Sequence, residues 1–393
     1  MNGLDAWFDS DSNSEEDEEV ELLAAIILYG TDEAGRLRRL RRQVTRRYLT
    51  RPELLSNPRN GTPWQVLYAS QNDRAFVTTM GFNCATFDLL LQSGFSQAWN
   101  TTPIPRGDTN SNGQPRIGAR SLDAAGALGL ALHYLASAAH ETSYQQIFAL
   151  IPSTVDRYIS FSITILLGTV KNIPEGEIRW PEGQEFEEWN GLIVARHELL
   201  TGGFGSLDGL KLAVQESDDP DIENATYNGW THGHYESSVF AFSPRGVIFC
   251  AAINLPDTAF PRGTQNIAGR IKAPLKANAV LPEDPQELAA LRAFNRQLLS
   301  YRQTAEWGMR ALQGSFGRLR VPLKIDDDNG RADLIELCAR LSNIRALCVG
   351  VSEIRNVYEP LWRDEDDELW FQFENMMIGE IRRRDRVSRF HRL

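Results

Sequence analysis

Gly203-Phe-Gly-Ser-Leu-Asp-Gly-Leu-Lys-Leu-Ala-Val214, Tyr235-Glu-Ser-Ser-Val-Phe-Ala-Phe242 and Val247-Ile-Phe-Cys-Ala-Ala-Ile253 are the three runs that decide the fold. Each is short and rich in β-branched, aromatic or aliphatic residues, which predicts strands. Ser243-Pro-Arg-Gly246 separates the second run from the third and predicts a tight turn. The three runs therefore read as a β-meander. Downstream, residues 285–314 carry Leu288, Leu291, Leu298 and Leu299 at helical spacing, which predicts one long helix. Helices are thus expected on both sides of the strands in sequence.

Upstream of the strands, residues 62–170 read mostly helical. Thr86-Phe-Asp-Leu-Leu-Leu91 opens an amphipathic segment, and residues 101–117 are rich in Pro, Gly, Asn and Thr, which predicts a loop. Ser121 or Asp123 caps a helix running to about Ser137, and Ser143 to Phe148 makes a short second one. Pro152-Ser153-Thr154 opens a third, through about Gly168. Two short helices, a turn and a capped third helix resemble a helix-turn-helix. Its reading helix would begin at Ser153, with Thr154, Asp156 and Arg157 near the N-terminus. Any three-helix bundle gives the same pattern. Residues 174–203 read as a connection.

The net charge of −11 is unevenly placed. Residues 1–33 hold 11 of the 52 acids and no Lys or Arg, which leaves 41 acids against 41 bases elsewhere. The Ser/Asp/Glu run at 9–21 predicts a solvated tail. Residues 34–51 carry eight arginines, among them Arg38, Arg39, Arg41, Arg42, Arg46 and Arg47. Leu37, Leu40, Val44 and Tyr48 recur among them at helical spacing, so a basic amphipathic helix is expected. It can contact phosphates or direct nuclear import, or it can pair with the acidic run beside it. Arg382, Arg383, Arg384, Arg386, Arg389 and Arg392 make a second basic segment after an acidic, aromatic stretch.

Four scattered cysteines without a Cys-x-x-Cys pair argue against structural zinc and a disulfide scaffold, and favour a reducing compartment. No stretch reaches the roughly 20 apolar residues of a membrane span, and the acidic start is unlike a signal peptide. In Thr231-His-Gly-His234 the two histidines invite a metal reading, but between strands they read as exposed loop residues.

Three acids stand in recognisable segments: Asp208 in Phe204-Gly-Ser-Leu-Asp-Gly209, Asp257 in Asp257-Thr-Ala-Phe-Pro-Arg-Gly263, and Glu306 in Ala305-Glu-Trp-Gly-Met-Arg-Ala-Leu-Gln-Gly314. Alone, an Asp beside a glycine is a turn residue and a Glu on a helix is solvated. Together with Tyr227-Asn-Gly-Trp230 and Ser237-Ser-Val239, in this order, the segments resemble the catalytic domain of Harbinger-type transposases and their domesticated relatives, the DDE superfamily endonucleases, most closely the fungal forms. The resemblance runs from about Trp180 to Leu323. Residues 48–170 resemble the helical region that precedes this domain in those proteins.

The resemblance implies an α/β fold, an RNase H-like mixed sheet with flanking helices, preceded by an all-α, helix-turn-helix-like region. With the charge pattern, the expected organisation is an acidic tail at 1–33, a basic helix at 34–60, a helical region at 61–173, a nuclease domain at 174–330 and a C-terminal helical and basic tail at 331–393. The resemblance implies a nuclear hydrolase that cleaves DNA with Mg²⁺ or Mn²⁺ held by Asp208, Asp257 and Glu306, with Asp208 bridging both ions. Carboxylate oxygens suit such hard cations, which clamp the attacking and leaving oxygens of an in-line displacement. DNA is the expected partner, contacted by the arginines at 38–47 and by Arg157, with a further protein for nuclear import possible and no membrane or small-molecule cofactor. In the family, a helix and a fourth strand lie between the third strand and the second acid. Here only Asn254-Leu255-Pro256 separates Ile253 from Asp257, so the sheet is expected to be truncated. A parallel crossover needs about a dozen residues. An Asp257 that ends the third strand would sit two strand spacings, about 10 Å, from Asp208. The alternative is then a catalytically inactive DNA-binding protein derived from a transposase, or a decayed copy.

Overall fold

The computed structural model describes residues 45–105, 113–229, 231–255, 271–276 and 279–359, with parts of 23–41. It is a mixed α/β structure with a small antiparallel sheet of four strands. Upstream come α1 (Pro63–Ser70), α2 (Asp73–Met80), α3 (Cys84–Leu90), α4 (Ser96–Thr101), α5 (Ala124–Ala136), α6 (Glu141–Phe148), α7 (Pro152–Val170) and α8 (Glu185–Val194). Next are β1 (Ser206–Ala213), α9 (Pro220–Thr226), β2 (Tyr227–Asn228), β3 (Gly233–Phe242) and β4 (Ile248–Leu255). The long α10 (Pro285–Ser315), α11 (Asp328–Ile344) and α12 (Glu353–Tyr358) complete the described chain.

Local signals account for most starts. Asp123 accepts the Gly126 N–H and caps α5, Asn83 caps α3, and Asp284 accepts the Glu287 N–H ahead of Pro285. The meander is present: β3 is central, with β1 and β4 paired antiparallel to it. Gly246, at φ 77°, turns β3 into β4 at the expected hairpin. Two sequence expectations shift. Residues 174–203 contain α8, whose opening acids Glu185, Glu187 and Glu188 suit a helix start and whose Trp189 and Ile193 are buried. The basic helix does not run to 51: residues 33–38, 40, 41 and 45 are helical, and the chain is non-helical from Arg46 to Thr50. Arg46 pairs there with Glu53 at 2.5 Å.

One continuous core joins the helices to the sheet, from Trp64 through Trp99, Leu128 and Phe161 to Phe240, Leu312 and Tyr358. Residues 331–344, which the sequence groups with the tail, lie in α11, where Leu334, Ile335, Leu337, Cys338 and Leu341 are buried. Both α7 and β4 pack against α11.

Helix α10 approaches the sheet closely at Gly308, where an added Cβ would fall 2.5 Å from the Phe242 ring. Phe242 is itself buried, so Gly308→Ala forces the helix off β3. The expected cost is about 1–3 kcal/mol, read as a lower urea midpoint at unchanged slope.

Candidate functional site

Strand alternation sorts the residues of β1. Ser206, Leu210 and Leu212 are buried, and Asp208 shares their face. Its cross-strand partner is Phe240, and Ser206 stands opposite Phe242. That face is the one α10 covers: Thr304 donates a hydrogen bond to Ser206 Oγ at 2.6 Å. The strand with Asp208 and the helix with Glu306 are thus in direct contact. The Asp208 carboxylate is half-buried and accepts the N–H of Gly209 at 2.9 Å.

Glu306 is oriented differently. Tyr301, Thr304, Ala305, Gly308 and Leu312 form the buried stripe of α10. Glu306 is two residues beyond Thr304, about 200° further round a helix of 100° per residue. It lies on the flank, 31% exposed, with its Oε1 4.0 Å from Arg302 Nε. Asp257 lies outside the described residues. Among the described residues, no group of three or more His, Cys, Asp or Glu side chains could hold a metal ion. Asp208 and Glu306 have the oxygen chemistry for Mg²⁺ or Mn²⁺, but two carboxylates alone leave most of the coordination of two such ions unfilled.

A fourth strand beside β1 would lie on the edge away from β3. Among the described residues, that edge carries one isolated parallel bridge, Val214 to Leu323. Gln215 donates to the Leu323 carbonyl and Leu323 to the Ala213 carbonyl, both at 2.9 Å.

Helices α6 and α7 meet at 91° across residues 149–151, and Ala149 takes the left-handed conformation at φ 52°. The chemistry of α7 is less basic than a DNA-reading helix favours. Its outward residues include Ser153, Asp156, Ser160 and Thr164. Arg157 donates to the Ser153 carbonyl at 3.2 Å. The arginine segment is fastened beside this turn: Leu49 N–H bonds to Gln145 Oε1 at 2.7 Å, and Arg51 donates to the Ala149 carbonyl at 2.9 Å. Arg38, Arg41 and Arg47 are exposed, Arg46 is held by Glu53, and Arg39 and Arg42 lie outside the described residues.

His234 is not an exposed loop residue. It stands on β3, with its side chain 9% exposed, Nε2 3.0 Å from Glu223 Oε1 and Nδ1 3.1 Å from Thr226 Oγ1. His232 is exposed, with Nδ1 3.2 Å from the Tyr227 hydroxyl.

Two clusters were not singled out from the sequence. Arg331, at the start of α11, is buried and bonds Glu236 Oε1 at 3.0 Å, Asn254 Oδ1 at 2.6 Å, and the carbonyls of Lys324 at 2.6 Å and Ile325 at 2.9 Å. It also pairs with Asp328. Burial raises the Glu236 carboxyl above its ordinary range, and Arg331 opposes that shift. The second cluster is His197 with Tyr358, whose hydroxyl lies 3.0 Å from Nε2. Only Glu236 had a local signal, as an acid at an inward position of an alternating strand. Comparison with protein-family models, curated proteins and solved structures found no match to the chain.

Proposed function

We propose that this chain is a transposase-derived protein of the DDE superfamily endonuclease class, a nuclear DNA-binding protein with metal-dependent phosphodiester cleavage centred on Asp208. The observation that carries the reading is the Ser206–Thr304 hydrogen bond, which seats the Glu306 helix on the acid-bearing face of β1. The antiparallel meander is consistent with the first three strands of an RNase H-like sheet. Asp208, Asp257 and Glu306 are the proposed ligands of Mg²⁺ or Mn²⁺. Bound divalent ions would activate water and stabilise charge on the phosphate oxygens. The DNA contacts proposed are Arg38, Arg39, Arg41, Arg42, Arg46, Arg47 and Arg157.

A second reading keeps the DNA binding and drops the cleavage. It is favoured by the flank position of Glu306 and by Leu323 beside the end of β1.

Nicking of supercoiled plasmid with Mg²⁺ or Mn²⁺, beside a salt titration of DNA binding, separates the readings. Cleavage by the wild type that disappears in Asp208→Ala, with binding unchanged, supports the endonuclease. Salt-dependent binding with wild-type nicking no greater than that of Asp208→Ala supports the second reading. Each phosphate-contacting arginine replaced by Ala, such as Arg38 or Arg47, lowers the slope of log K against log[salt] by about 0.9. A chain that neither binds nor nicks DNA refutes both.

A further inference from the structure

From Leu288 to Ser315, α10 carries four arginines and a single acid, Glu306. At 100° per residue, Arg292, Arg296, Glu306 and Arg310 fall within about 80° of one another around the helix, and Arg302 lies about 40° beyond Glu306. The buried residues Tyr301, Thr304, Ala305, Gly308 and Leu312 are centred on the opposite side. Glu306 and its basic neighbours therefore share one outward stripe. It runs about 27 Å from Arg292 to Arg310 at 1.5 Å per residue.

Arg292, Arg296 and Arg310 are exposed, and among the described residues their side chains make no hydrogen bond or ion pair. Arg292 and Arg296 stand one turn apart, where like charges repel and weaken a helix. Asn295, between them, is buried and accepts the Leu275 N–H at 2.8 Å. That bond fastens residues 271–276 beside the stripe and brings the exposed Lys272 and Lys276 to it. The acids near the helix start, Glu283, Asp284 and Glu287, all precede Arg292 by more than a turn. No large apolar side chain is exposed on α10. Protein partners anchor on aromatic and apolar groups, whereas a nucleic-acid backbone asks for cations set along a line.

We propose that this stripe is a track for a DNA backbone: Arg292, Arg296 and Arg310, with Lys272 and Lys276, hold the phosphates of one duplex and lay it across Glu306. The inference rests on the DNA-binding reading above. The stripe matches about eight base pairs at 3.4 Å each. Phosphates between Arg296 and Arg310 then pass the residue proposed as a metal ligand, the one acid on the path.

Salt titrations of binding to a random-sequence duplex compare the wild-type chain with the triple variant Arg292→Gln/Arg296→Gln/Arg310→Gln. Three lost phosphate contacts lower the slope of log K against log[salt] by about 2.7, so between 50 and 200 mM salt the wild type loses about 40-fold more affinity than the variant. The variant Arg292→Lys/Arg296→Lys/Arg310→Lys keeps the wild-type slope, because Lys also neutralises phosphate. Acetylation of the five lysines gives a second readout. Bound duplex protects Lys272 and Lys276 relative to Lys171, which is ion-paired with Glu336 at 3.0 Å. Wild-type binding with an unchanged slope in the Gln variant, or unprotected lysines, overturns the track and leaves the DNA-binding reading standing. A wild type that binds no DNA overturns both. A Gln variant that loses poly-glutamate binding alone assigns the stripe to an acidic protein segment and likewise overturns the proposal.

Discussion

Arg331→Met destabilises the fold by about 3–5 kcal/mol, because it leaves Glu236 as a buried carboxylate without its cation. The side chains of Arg331 and Glu236 are 2% and 9% exposed. Water therefore cannot take over the lost interactions. The second Glu236 oxygen already lacks a hydrogen bond, so no spare donor compensates. Arg331 also holds Asn254, which sits at φ 59° near the end of β4, and the carbonyls of Lys324 and Ile325 next to the β1 bridge. One guanidinium thus ties β3, β4 and the segment after α10 to α11. A loss of that size is a large part of the 5–15 kcal/mol typical of a folded domain. Urea unfolding of Arg331→Met, Glu236→Gln and the double variant checks the cause. The double variant is expected to be more stable than Arg331→Met, since it removes the lone buried charge. A double variant less stable than Arg331→Met would show that the carboxylate does not cause the loss.

The second large effect is on pH dependence. His197 is 5% exposed, and burial, with a smaller contribution from nearby Arg196, lowers its pKa to about 4. In the unfolded chain it titrates near 6.5. The unfolded state therefore binds the proton first. Stability from this group is fully present above about pH 6.5 and is lost as the pH falls towards 4. The loss amounts to about 3 kcal/mol, at roughly 1.4 kcal/mol per tenfold change in proton concentration. His133 acts in the same direction, because burial lowers it too. His197→Phe isolates the first contribution. At pH 7 it loses the hydrogen bond to Tyr358, worth about 1 kcal/mol. Between pH 6.5 and 4 it should lose markedly less stability than the wild type. Denaturant midpoints at pH 7, 5.5 and 4.5 measure this, and parallel curves for the two proteins would rule it out. Glu185, lowered from 4.5 to about 2 by its bonds to Arg179, adds a separate loss that sets in as the pH falls below about 4.5 and is complete near 2.

Short-range physics made much of this chain legible in its sequence. The three strand runs, the turn at Gly246, the Asp123 cap and the long helix ending at Ser315 rest on alternation, positive φ, capping and 3.6-residue spacing. Each depends on residues close together in the chain. Helix α8 escaped because a ten-residue segment with Gly191 inside has too few apolar repeats to stand out, and tertiary packing of Trp189 and Ile193 decides it. The basic segment ends its helix early for a similar reason: Gln145 and Ala149, about a hundred residues away, take the bonds of Leu49 and Arg51. Strand membership of Asp208 and helix membership of Glu306 were written in local pattern. The contact of their elements through Ser206 and Thr304, and the turn of Glu306 to the flank, were decided by how α10 lies on β1. The partners of Glu236 and His197 were decided the same way. A buried charge or a desolvated imidazole gets its partner from another element, and no periodicity records which element that is.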